Sequence, residues 1–490
     1  MKKIVNVYRN MSIVAKASLW FMFCTIIQKC LSIITTPIFT RIMDVEQYGM
    51  YSTYLSVVSI VTVILTLNFD TCAYMNGISK FKSEKEKDEL GTSLLSFTFI
   101  LTLIIGIITF FARDWVSNAI SLSPSLICLM LIEILFIPPV KFWMVKQRFS
   151  YHYKSLVFVT LGMLLFNNIF GIIFVLIGKY EQATLRVLSI VLIQAIVGCI
   201  IYIKYIHKTG IKCFWKYWKY GLKLNIPLVP HGLSILILSS SDKLMINKMV
   251  GSAQAGIYGV AYSAAQIINA IKLSLVDAIR PWIYTKIKSK QYDEIKNVCN
   301  FLFLINILIT FIIVGFAPEL IKILASKDYY EAIYIIPPVA ASSFFTFVYN
   351  ICSIVEIYHE KNKNIMIASV IAAISNIVLN VIFIKKYGYL AAGYTTLFSY
   401  ILLSMMHFYY LRKIEKEELD NHKVIDRRSI LLMSILTIAG MFVFTFLYNY
   451  LILRYILVFI ICIVCVLMRK KIIAVVRSLK KIKKEGASNE

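Results

Sequence analysis

Fourteen stretches of about 20 or more apolar residues, joined by short polar turns, leave this chain few ways to fold. They lie near 14–39, 48–75, 91–112, 118–140, 155–178 and 184–206, then 224–247, 255–283, 298–324, 332–359, 364–384 and 389–411, and finally 430–449 and 452–468. Each is long enough to cross a bilayer core of about 30 Å as a helix. The runs are continuously apolar and do not alternate, which disfavours a closed strand barrel. The expectation is an all-helical integral membrane protein with about fourteen transmembrane helices.

The basic residues test that count. Of the 52 Lys and Arg, 36 precede the first span, follow the last or occupy the even-numbered turns. Only seven lie in the odd-numbered turns, and nine fall inside the span bounds: Arg186, Lys204, Lys243, Lys322 and Arg454 near span ends, and Lys16, Lys29, Lys272 and Arg280, which are counted as lying within the membrane. Basic residues collect on the cytoplasmic side of a membrane, so both termini are expected to be cytoplasmic in a multi-pass membrane protein. The formal net charge of +26 is therefore read as membrane anchoring, and no nucleic-acid-reading module is visible. Charged residues are 16% of the chain, against about 25% in ordinary globular domains. Ten cysteines show neither zinc spacing nor a disulfide framework. The basic N-terminus leads into a long span without an Ala-x-Ala site, so no removed signal peptide is expected.

The chain also repeats. At an offset of 207 positions Lys248 falls on Arg41, Gly256 on Gly49, Tyr258 on Tyr51 and Asp277 on Asp70. Six spans in each copy put both in the same sense, which predicts a parallel repeat about an axis along the membrane normal with the substrate path between two lobes. The expected organisation is an N-terminal six-helix lobe (1–206), a basic amphipathic cytoplasmic linker (207–223), a C-terminal six-helix lobe (224–411), two extra transmembrane helices (412–468) and a basic cytoplasmic tail (469–490). The linker interleaves Lys208, Lys212, Lys216 and Lys219 with Phe214, Trp215, Tyr217 and Trp218, a pattern suited to an anionic membrane surface.

Two stretches carry a family resemblance. Asp242-Lys243, the turn at Gly251, and Ala255-Gly256-Ile257-Tyr258 with Ala261-Tyr262 resemble the second-half signature of bacterial polysaccharide-biosynthesis flippases, the Wzx-type O-antigen and capsule-unit transporters of the multidrug/oligosaccharidyl-lipid/polysaccharide exporter superfamily. Thr40-Arg41 through Asp44, Glu46 and Tyr48-Gly49-Met50-Tyr51 resembles the first-half signature. The resemblance implies translocation of an oligosaccharide unit on an undecaprenyl diphosphate carrier, from the cytoplasmic to the outer leaflet, by alternating access. It implies as partners the lipid-linked oligosaccharide, membrane lipids, and polysaccharide polymerase and chain-length machinery. Coupling to an H+ or Na+ gradient is an expectation from the wider superfamily, with no other cofactor.

Charges inside spans are costly and each needs a wet cavity or a partner. Lys29, Lys272 and Arg280 are read as a cationic substrate cavity for a diphosphate or acidic sugars. Asp277 is three residues from Arg280 and spaced to pair with it, and Asp70 is its repeat equivalent. Arg41, Asp242, Lys243 and Lys248 lie near outer span ends and are read, with Asp70 and Asp277, as gating or ion-pairing residues, snorkelling being the alternative for the basic ones. Glu133 and Glu356 are candidates for ion coupling. Glu356 with His359 has a metal-ligand spacing but lacks further inward carboxylates, so no metal is expected. Pro138-Pro139, Pro227, Pro230, Pro281 and Pro337-Pro338 mark bends or ends of spans. No nucleotide-binding or hydrolase motif is present, so the chain is not read as an enzyme. The alternatives are a cation-coupled multidrug exporter, which would favour acidic cavity residues, and a membrane-embedded polysaccharide polymerase, which would need larger outer loops.

Overall fold

A computed structural model describes residues 11–473 apart from 12, 179, 212 and 472, and the side chains at 14, 15, 18, 22, 29, 30, 32, 33, 266 and 270 are outside the described set as well. Among the described residues every regular element is a helix. The principal ones are α1 (Ile13–Ile42), α2 (Val45–Thr66), α3 (Glu84–Phe111), α4 (Pro124–Phe149), α5 (Tyr153–Ile177), α6 (Gln182–Thr209), α7 (Val229–Met249), α8 (Ser252–Lys288), α9 (Tyr292–Gly315), α10 (Ile336–Tyr358), α11 (Asn362–Tyr387), α12 (Ala391–Glu418), α13 (Arg427–Leu447) and α14 (Leu451–Leu467). Eleven described helices are long and apolar enough to cross a membrane. The difference from fourteen lies in α14, which has only 17 residues, in α12, whose last turns are polar, and in α1, several of whose side chains are outside the described set.

The chain forms two compact units, residues 1–236 with 251–256, and residues 237–250 with 257–490. The first six helices fall in the first unit, which also holds the segment 207–223 and the start of α7. In this unit α4 and α5 each pack along α6, and α1 packs on α5. Gln47 and Gln182 tie helix starts reciprocally: the Asp44 amide donates to Gln182 Oε1 at 2.8 Å, and the Ala183 amide donates to Gln47 Oε1 at 3.0 Å. Each satisfies a backbone N–H that a helix start leaves unpaired.

The second span is not one helix. After Thr66 the backbone turns through left-handed values at Leu67 (φ 49°) and Asn68 (φ 48°), then makes a π-helical turn over Asp70–Tyr74 and a short helix over Met75–Lys80. A branched apolar side chain in that region is strained, so a partner must hold the break. Asn225 does so. Its Nδ2 donates to Leu67 O at 2.9 Å and Asn68 O at 2.7 Å, and its Oδ1 accepts from the Ala73 amide at 3.0 Å. Asn225 ends the helix Trp215–Asn225, so the linker is not simply an apron on the membrane. Trp218 donates its indole N–H to Ser93 O at 2.7 Å and packs edge-on against Phe97, while Trp215 stays exposed. Asn225→Ala strips one buried and two part-buried backbone groups of their partner, a buried one being worth about 1–3 kcal/mol. We expect a loss of roughly 3 kcal/mol in detergent unfolding; a change within about 0.5 kcal/mol, the usual size for an unremarkable surface site, would show that the break holds itself.

The two Gly positions of the repeat meet inside this unit. A Cβ on Gly49 would lie 1.7 Å from Ser252 O, and one on Gly256 would lie 2.7 Å from Val45 O. Only a residue without a side chain allows the starts of α2 and α8 to touch backbone to backbone, the small-residue contact typical of membrane helices.

In the second unit α10 is the axis: 19 of its 23 residues are buried, against α9, α12 and α13. Pro337-Pro338 sit in its first turn, where a missing N–H is harmless. Pro138-Pro139 and Pro281 lie within α4 and α8. α13 and α14 have a single buried stripe each (Thr437, Met441 and Phe444; Arg454, Val458 and Ile461), with apolar side chains exposed elsewhere. They dock on α9, and on the short helix Ala317–Leu324 that follows it Glu319 Oε1 accepts from the almost wholly buried Arg454 at 2.5 Å and from Tyr455 at 2.9 Å.

Candidate functional site

The most polar place in the second unit is built around one carboxylate. Asp242 is 1% exposed, two turns before the end of α7. Its Oδ1 accepts from Asn380 Nδ2 of α11 at 2.7 Å; its Oδ2 accepts from Tyr258 of α8 at 2.5 Å and from Thr396 of α12 at 2.6 Å. A second ring supports these donors. Asn376 Nδ2 donates to Thr396 at 3.2 Å, Ser241 donates to Asn376 Oδ1 at 3.2 Å, and Thr395 donates to Asn380 Oδ1. Four helices therefore converge on one acidic group, and all its partners are neutral. No salt bridge reaches Asp242 among the described residues; the neighbouring Lys243 puts its ammonium over the Tyr262 ring at 5.1 Å instead.

That arrangement has a definite chemical capacity. An isolated buried charge is expensive unless something neutralises it. Tyr258 and Thr396 are hydroxyls, which donate to a carboxylate and can equally accept from a protonated one. The carboxylate and hydroxyl oxygens are hard donors of the kind that suits a small cation, whereas the Asn380 amide turns its NH2 to Asp242. The site can thus exist as a carboxylate neutralised by a monovalent cation or as a protonated acid. Among the described residues no group of three or more His, Cys, Asp or Glu could hold a metal ion.

Lys272, on α8, is the reverse case. It is 5% exposed, and its Nζ donates to Asn269 Oδ1 at 2.7 Å and to Thr346 of α10 at 2.5 Å. No carboxylate forms a salt bridge with it among the described residues. A buried ammonium held by two neutral acceptors lacks the negative charge that would offset its desolvation.

The other residues singled out from the sequence take separate places. The expected Asp277–Arg280 pair does not form: Asp277 is exposed, and Arg280 Nε has no acceptor. Three-residue spacing allows a helix pair but does not impose it when both side chains can turn elsewhere. Asp70, buried, opens the π-helical turn of the first unit. Arg41 donates to Pro37 O at 2.9 Å, and Lys248 lies exposed in the last turn of α7. Glu133 accepts from Tyr54 at 2.6 Å in the first unit. Glu356 and His407 are fully buried with 2.7 Å between Oε1 and Nδ1, and the other oxygen and nitrogen have no partner. His359 turns instead to Glu418, so Glu356 and His359 do not act together. The Lys29 side chain lies outside the described residues.

Two charged residues of the first unit escaped the sequence reading. Arg186 is buried without an acid: it donates to Asn167 Oδ1 at 2.9 Å and Asn168 Oδ1 at 3.0 Å and lies 4.2 Å from the Phe39 ring centre. The Asn167-Asn168 pair within an otherwise apolar span was the available signal. Asp88 receives both Lys146 and Lys208, the latter at 2.6 Å, clamping α3, α4 and α6.

Comparison with known proteins agrees with this architecture. The family model described as "Polysaccharide biosynthesis protein" matches residues 14–288, and one described as "Putative exopolysaccharide Exporter" matches residues 284–423. The Lsg locus putative protein 1 of Haemophilus influenzae is 23% identical over 374 residues, covering 74% of this chain and 89% of that one. Among solved structures, the lipid II flippase MurJ in an inward closed conformation superimposes with a TM-score of 0.65 at 17% identity, over 93% of this chain and 100% of that one. An inward-facing multidrug resistance MATE family transporter of the MOP superfamily gives 0.59 at 12% identity, over 82% and 99%.

Proposed function

Since the chain belongs to the polysaccharide biosynthesis protein family, we propose that it is a flippase that moves undecaprenyl-diphosphate-linked oligosaccharide repeat units (O antigen, capsule or exopolysaccharide) from the cytoplasmic to the outer leaflet of the bacterial inner membrane by alternating access. Both termini are cytoplasmic in this reading, which follows the distribution of Lys and Arg among the turns. The observation that carries the cargo class is Lys272, a buried cation whose missing counter-charge a diphosphate or acidic sugar would supply. Lys29 and Arg280 join it in this proposal by their place in spans. An organic-cation exporter has the opposite requirement, and Lys272 would repel its cargo. Asp242 is the proposed coupling residue, exchanging a proton or Na+ as the site cycles; Glu356 with His407 is a further proton-holding pair, and Glu133 retains the same proposed role in the first unit.

The reading is tested by reconstituting the protein with a fluorescent undecaprenyl-diphosphate-linked saccharide and measuring its accessibility to a membrane-impermeant reagent. Protein-dependent transfer between leaflets is expected, together with no transport of a lipophilic cation; the converse pattern would replace this reading with drug export. Lys272→Met should weaken transport at sub-saturating cargo by about tenfold, the loss of roughly one charged hydrogen bond. Because it removes an uncompensated buried charge, it should leave thermal stability unchanged or higher. Loss of folded protein with no change in cargo dependence would make Lys272 a structural residue.

A further inference from the structure

A groove of about 910 Å3 on the first unit has no part in the chemistry above. α1, α4, α5 and α6 wall it, with Trp20, Trp143, Tyr153, Lys154 and Lys204 towards one end and Phe166 and Ile193 deeper in. Lys154 is in the first turn of α5 and Lys204 near the end of α6, and Trp20 stacks on Tyr153 at 6.2 Å, bringing the start of α1 to the same end. No acidic residue lines the groove. Lys146 and Lys208 are both taken by Asp88, whereas Lys154 and Lys204 are exposed and form no ion pair among the described residues. The remaining wall is hydrocarbon, with Phe158 and Ile196 among its exposed members.

Dimensions narrow the occupant. From Tyr153 to Phe166 α5 rises about 20 Å, about two-thirds of a hydrocarbon core about 30 Å thick. With Tyr153 at the interface, the groove covers the depth of one leaflet and ends short of the far side. Spread over that length, 910 Å3 is a cross-section of about 45 Å2. A hydrocarbon chain whose neighbours sit about 4.5 Å away fills about 20 Å2, so two chains fit side by side.

We propose that this groove is a binding site for one two-chain anionic phospholipid of the cytoplasmic leaflet, its chains along α5 and α6 and its phosphate between Lys154 and Lys204. Trp20, Trp143 and Tyr153 then lie at the level where aromatic rings favour the membrane interface. The bound lipid joins the cytoplasmic ends of four helices of the first unit. The inference stands apart from the cargo reading and takes from it only the orientation of the chain.

Gly162 supplies the test. It lines the groove, and a Cβ there meets nothing within 4 Å, so Gly162→Leu fills the groove without displacing the protein. The full chain, stripped of lipid in detergent, is titrated separately with phosphatidylglycerol, with phosphatidylcholine of the same acyl chains and with undecaprenyl phosphate, and binding is read by native mass spectrometry. One phosphatidylglycerol should be retained, about tenfold more tightly than phosphatidylcholine. The exposed double variant Lys154→Gln/Lys204→Gln should lose that preference, and Gly162→Leu should lose the lipid while its unfolding temperature is unchanged or raised. Equal binding of the two phospholipids, a preference for undecaprenyl phosphate, or undiminished phosphatidylglycerol binding by the variants would each overturn the proposal.

Discussion

Asp242→Asn is expected to reduce gradient-driven export by at least about 100-fold, equivalent to about 2.7 kcal/mol, while leaving the protein folded. The amide is nearly isosteric, and its oxygen can still accept from Tyr258 and Thr396, which hold Oδ2 at 2.5 and 2.6 Å. What it loses is the negative charge and the acceptor for Asn380 Nδ2, whose amide can turn its oxygen to the new NH2. Its hydrogen-bond partners are all neutral, so Asp242 itself supplies the negative charge that a cation or proton would meet at that point. Hydrogen bonds to a charged group are worth about 1.5–3 kcal/mol, so removing the charge also flattens the difference between loaded and empty states on which coupling depends. Transport by wild type in vesicles should respond to an imposed Na+ or pH gradient, and transport by the variant should not. An undiminished response in the variant would move coupling elsewhere, with Glu356 and His407 next in line.

The second large effect is structural. Gly49→Ala would place a carbon 1.7 Å from Ser252 O, a backbone atom that no rotamer change can move. Overpacking usually costs about 1–3 kcal/mol where side chains can adjust; here the start of one helix must withdraw, so at least about 3 kcal/mol is expected. The variant should accumulate poorly and unfold at a clearly lower temperature. Gly162→Ala is the control, since it meets open space and removes a helical glycine, a change worth about 0.5–1 kcal/mol in the stabilising direction. If Gly49→Ala unfolds like wild type, the contact between the starts of α2 and α8 is not tight in solution.

Much of this architecture is legible in the sequence because a bilayer imposes simple rules. Continuous apolar length and the alternation of Lys and Arg between turns depend on neighbouring residues only, and the helices follow the apolar segments. The repeat was readable for a similar reason: Gly49 and Gly256 are constrained by backbone contact, which tolerates no substitute. The polar sites were harder. Asp242 was grouped with Lys243 and Lys248 as a gating residue because they are close in sequence, yet its partners Asn380 and Thr396 come from the fifth and sixth helices of the same half. Asn225 fell at the start of the seventh apolar stretch and was given no role, although its side chain satisfies a break more than 150 residues earlier. Asp277 and Arg280 had the right spacing but turn apart. Local spacing states which contacts are feasible, and tertiary packing chooses among them.

The most direct test of the central claim is to measure lipid-linked oligosaccharide on each leaflet in cells lacking this gene, and in the same cells given back wild type or Lys272→Met. The account predicts accumulation on the cytoplasmic leaflet that wild type clears and the variant clears poorly. If no lipid-linked sugar accumulates and surface polymer persists without the gene, the cargo is not a lipid-linked oligosaccharide and the account is wrong.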